Sequence, residues 1–152
     1  HDVPMVVGGG IVQYYGNQIG YGRFARPWVH LRQIRAAFDG ARFTGYWQDP
    51  GVRCEPPGPL ASTWVGPQPG QALVVVSNLP KAPWSGTVIL DRGRLGVAPD
   101  AEARDAMVDE PIPAEAGGLP LEIRPQRYRL ILVGARMPIP DKARRTDDDA
   151  AP

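Results

Sequence analysis

The chain alternates between apolar runs and polar, proline-bearing turns. Residues 71–96 read QALVVVSNLPKAPWSGTVILDRGRLG: an apolar run, a turn, then a second apolar run. Residues 119–133, LPLEIRPQRYRLILV, hold a short alternating segment, a polar turn and a last apolar run. Short runs bounded by Pro, Gly, Asn and Asp are the pattern of an antiparallel β-sandwich. The strands expected are residues 41–47, 61–65, 72–77, 87–91, 104–108, 119–123 and 128–133, with residues 48–59 as a loop rich in Pro and Gly. The fold class expected is all-β, an antiparallel sandwich of about seven or eight strands with one amphipathic helix at its N-terminal side.

That helix falls on residues 27–38, PWVHLRQIRAAF. Pro27 suits a first turn, and Trp28, Leu31, Ile34 and Phe38 share one side at helical spacing. Asp39-Gly40 ends it. A lone amphipathic helix must pack on something, so Trp28, Leu31 and Phe38 are read as a domain interface. Residues 1–40 are then a loop and helix left from a preceding domain, residues 41–136 the sandwich, and residues 137–152 a disordered tail.

Composition adjusts this picture little. Gly and Pro number 18 each, together roughly a quarter of the 152 residues, which suits many turns between short strands and argues against long helices. The formal charge of +1, with both signs mixed, gives no basic face for nucleic acid. No apolar run reaches the roughly 18–20 residues of a membrane span, so neither a membrane nor a nucleic acid is expected as partner. Cys54 is the only cysteine, so no internal disulfide forms. That leaves the compartment open, with an extracellular or periplasmic one favoured. The chain opens on His1 rather than Met and is read as a piece of a longer protein, a processed product or a trimmed chain.

No complete catalytic set stands out. Acid–base work on glycosides needs two carboxyl groups about 5–10 Å apart across a cleft. The candidates Asp39, Asp49, Glu55, Asp91, Asp105, Asp109, Glu110 and Glu122 mostly fall at turns, where Asp is common for backbone reasons. Ser62, Ser77 and Ser85 lack an elbow motif and a base. His1 and His30 with Cys54 match no zinc spacing, so no metal and no cofactor is expected. Gly8–Gly10 precede no helix carrying Lys-Ser/Thr, so they make no phosphate loop. Aromatics are the remaining lead, because the C–H faces of sugars stack on flat exposed rings. Trp64, Trp84, Tyr14 and Tyr15 are the candidates for glycan contact, Trp84 because it falls in the turn between two strands. Tyr21 and Trp47 could serve as well, but Trp28, Tyr46 and Trp47 are expected to fill the interface between helix and sandwich.

Four segments together resemble the C-terminal end of glycoside hydrolases in which a barrel is followed by an antiparallel β-sandwich. They are LVVVSNL at Leu73–Leu79, TVILDRGRLG at Thr87–Gly96, ARDAMVDEPI at Ala103–Ile112 and LEIRPQRYRLILV at Leu121–Val133. The resemblance spans roughly residues 27–133. It implies a non-catalytic accessory domain that covers one side of a preceding catalytic barrel, or of another chain, and contacts a glycan. The chain is far too short to hold the barrel itself, which takes about 200 residues or more. Two other classes fit the same residues: an independent carbohydrate-binding module, and a structural or interaction β-sandwich of a larger assembly.

Overall fold

A computed structural model describes residues 38–106 and 108–134. The expected helix, up to its last residue Phe38, and with it Trp28, Leu31, Tyr14, Tyr15 and the tail, lie outside the described residues. The described residues hold nine strands: β1 (Arg42–Thr44), β2 (Val52–Glu55), β3 (Leu60–Val65), β4 (Ala72–Asn78), β5 (Trp84–Leu90), β6 (Ala103–Asp105), β7 (Glu110–Pro111), β8 (Leu119–Ile123) and β9 (Arg127–Val133). They form a six-stranded sheet in the order β1-β3-β4-β9-β6-β7 and a three-stranded sheet in the order β2-β5-β8. Every pairing is antiparallel. Among the described residues the fold is therefore all-β and sandwich-like.

The strand assignments differ from the expected ones in four places. Residues 52–55 are a strand, not a loop: Pro50, Pro56 and Pro57 flank β2, which lies at a sheet edge where neighbouring prolines cost no ladder bond. β1 stops at Thr44, and Gly45 opens a turn closed by the Gln48 N–H donating to the Gly45 carbonyl at 2.9 Å. β5 begins at Trp84, earlier than residue 87. β6 ends at Asp105, and β7 adds a two-residue pairing.

Strand alternation sorts the side chains into two clusters. Cys54, Ala61, Val74, Val76, Trp84, Val88, Leu119, Ile123, Ile131 and Val133 come from both sheets and fill the space between them. Leu95 and Val97, from the loop after β5, close one side of it. Leu73, Val75, Leu130, Leu132 and Trp64 point the other way and form a second buried cluster with Phe38 and Ala106. The registers align one row of this second face as Phe43, Trp64, Leu73, Leu132 and Arg104. β4 and β9 are thus apolar on both faces. This is why they read as continuous runs of Leu, Ile and Val rather than as alternation.

One end of the sandwich is fastened by polar side chains. The Asn78 amide, almost wholly buried, donates to the carbonyls of Ala82 at 2.9 Å, Ile123 at 3.1 Å and Arg124 at 3.3 Å. It thereby ties the end of β4 to the end of β8 in the other sheet. Arg129 does the same from β9, donating to the Glu122 carbonyl at 3.4 Å and to Asp105 at 3.0 Å. Replacing Asn78 by Ala strands buried carbonyls, so Asn78→Ala is expected to lower unfolding free energy by about 1–3 kcal/mol in urea titrations. A loss under about 0.5 kcal/mol, the range of neutral surface changes, would show that the clasp contributes little.

Candidate functional site

The strand positions settle where the sequence-derived aromatics lie. Trp84, expected in an exposed turn, is the first residue of β5 and only 8% exposed. It shares the inward face with Val88, and its Nε1–H donates to the Pro56 carbonyl at 2.9 Å. Gly86 makes room for this indole, because a Cβ there would stand 2.6 Å from the ring. Trp64 is 9% exposed on the second face, its ring centroid 5.0 Å from that of Phe43. Neither indole offers a free face. Phe38, read as an interface residue, is buried in the second cluster.

The exposed rings are the two expected to pack inside: Tyr46 at 52% and Trp47 at 62%. They occupy the middle of the turn that follows β1. Gly45 and Gln48 hold that turn from both sides, the Gly45 N–H donating to Gln48 Oε1 at 3.0 Å. The Tyr46 N–H donates to Ser62 Oγ at 3.0 Å, anchoring the tip to β3. The Trp47 indole leans back over Gly45, where a Cβ would come within 2.5–2.7 Å of three ring carbons. Phe43 meets Trp47 edge-on at 6.0 Å, and Tyr46 meets it edge-on at 5.0 Å. A glycine, a phenylalanine and a backbone anchor therefore hold two exposed rings in place. The signal in the sequence was the bracket of turn residues around them, Gly45 before and Gln48-Asp49-Pro50 after.

Charged groups follow the rings along the chain. Asp49 pairs with Arg94 from the loop after β5, and its Oδ1 also accepts the Gly51 N–H at 3.2 Å. The bond from Arg94, then that from Gly51, holds the Asp49 carboxyl below the usual carboxylate range. Asp91 accepts the Arg94 N–H at 3.0 Å. Glu55 pairs with Arg53 at 2.9 Å, Asp109 with Arg104 at 2.7 Å, and Asp105 with Arg129 at 3.0 Å. These candidate carboxylates are thus tied to guanidinium groups. Asp109 and Glu102 together raise the Arg104 pKa, with Asp109 the larger cause. Among the described residues no group of three or more His, Cys, Asp and Glu could hold a metal ion.

Cys54 lies in the core between the sheets, and burial pushes its thiol up to about 11 from 9.0. A thiol held protonated is a poor nucleophile, and Cys54 acts as a small apolar residue. In the unfolded chain it would ionise earlier, so the native state keeps a proton that the unfolded state loses. Stability is therefore present in full below about pH 9 and falls as pH rises toward about 11. Cys54→Ala should remove roughly 2 kcal/mol of that alkaline loss, read as the difference between denaturation curves of the two proteins at each pH. Identical pH profiles would count against it.

No protein-family model and no curated protein matches this chain.

Proposed function

We propose that this chain is a non-catalytic C-terminal accessory β-sandwich domain of a glycoside hydrolase-like protein. In this reading its second face, buried in this chain together with Phe38, is the side on which it joins the preceding part of that protein and stabilises it. The observation that carries the reading is the apolar character of that face. An antiparallel sheet with one face in water alternates apolar and polar residues. Here Leu73, Val75, Leu130 and Leu132 stand back to back with the core between the sheets. Phe38, the described residue nearest the upstream sequence, belongs to the same cluster.

The four segments that resemble glycoside hydrolase C-terminal domains add support. They fall on β4, on β5 with its following loop, on β6 and β7, and on β8 and β9. Together these are most of both sheets. A second reading, an independent carbohydrate-binding module, is favoured by the exposed pair Tyr46 and Trp47.

The test is calorimetry on the native protein with its upstream sequence. A single unfolding transition is expected, with a lower midpoint for the upstream part once residues 41–133 are removed. Two independent transitions, with the upstream midpoint unchanged, would sink the docking role.

A further inference from the structure

We infer that the turn carrying Tyr46 and Trp47, with Asp49 and Arg94 beside it, is a saccharide-binding site. The inference rests on the carbohydrate-binding reading given above, which it deepens by naming the site, and it is independent of the docking role.

A pyranose ring presents an apolar C–H face bordered by hydroxyl groups. Its complement is a fixed aromatic ring next to a few planar polar groups. The tip has both parts. Tyr46 and Trp47 are the large aromatics exposed among the described residues. Phe43, Tyr46 and Gly45 lie against the Trp47 ring and Ser62 fixes the backbone at Tyr46, so the Trp47 side chain has little freedom left to lose on binding.

Two residues further along, the Asp49–Arg94 pair is exposed on both sides and sets an acceptor next to donors. A carboxylate accepting from one hydroxyl and a guanidinium donating to its neighbour make strong, directional bonds. Gln48 is exposed at the same turn, its Oε1 already accepting from Gly45. A protein partner anchored by these rings would call for an apolar surround and few charges. Here the rings are followed in the chain by Gln48 and Asp49, with Arg94 paired to Asp49, which suits hydroxyl groups better.

The whole 152-residue chain would be titrated with cellohexaose and, separately, with chitohexaose, following the indole N–H signals of nitrogen-labelled protein by NMR. With at least one of them, the Trp47 signal should move and saturate while those of Trp64 and Trp84 stay still. Trp47→Ala should weaken binding about tenfold or more, Arg94→Gln by a smaller factor, and Leu79→Ala, elsewhere on the surface, not at all. The indole readout needs no variant, so a misfolded Trp47→Ala protein would leave it standing. A Trp47 signal that stays still with both sugars up to ~10 mM overturns the inference. So does affinity unchanged by a folded Trp47→Ala protein. A Trp47 shift that follows protein concentration alone, with doubled mass in sedimentation, would make the tip a contact between copies and overturn it as well. None of these outcomes bears on the calorimetric test of docking.

Discussion

β4 is buried on both faces and along almost its whole length, so no water reaches its peptide groups. Each must find a partner in β3 or β9, and both strands pair with it throughout. The rest of the architecture is built around that requirement. Because β4 lies mid-sheet, its even-numbered residues face the second sheet and its odd-numbered ones face away. Two apolar clusters follow from one strand. At its end, where the ladder stops, the Asn78 amide continues the bonding into the three-stranded sheet. Without that step the carbonyls at the end of β8 would be buried next to apolar side chains.

The two sheets are unequal, six strands against three, and this shapes what the domain can do. The inner cluster is closed by the smaller sheet and by Leu95 and Val97 from a loop. On the other side the larger sheet ends in charge: Arg104, in line with Leu132, is held by Glu102 and Asp109. The second face is therefore a buried apolar strip with a fastened ionic border. The aromatic tip lies at the opposite border, next to Phe43. Docking and saccharide contact would then use neighbouring but different residues.

Much of the sandwich was legible because its central strands announce themselves. LVVV and LILV contain no polar break, and Gly70 with Asn78 and Pro125 with Gly134 bracket them plainly. β2 was hidden: four residues between prolines look like loop, and only pairing with β5 makes them a strand. The tryptophans were harder still. Counting back by twos from Val88 puts Trp84 on the inward face, yet its sequence neighbours Pro83 and Ser85 look like turn. Trp47 was misplaced in the opposite sense, since residues 41–47 read as one strand whose aromatics would fill the space between helix and sandwich, whereas β1 stops at Thr44. Both indoles use the same device, a glycine two residues away that receives the ring: Gly86 for Trp84 and Gly45 for Trp47. The device is visible in sequence, but whether the ring then faces the core or water depends on the pairing of strands far along the chain.

The place of β9 has a consequence for how the protein comes into being. β9 is the last of the described strands in sequence but lies inside the larger sheet, between β4 and β6. Until Arg127–Val133 has left the ribosome, that sheet exists only as two pieces, β1-β3-β4 and β6-β7, with no seam between them. One edge of β4, the most apolar strand, stays open until then. The larger sheet therefore closes only once β9 has been made, through contacts distant in sequence, and the nascent chain must be kept from pairing that edge with another molecule until that strand arrives.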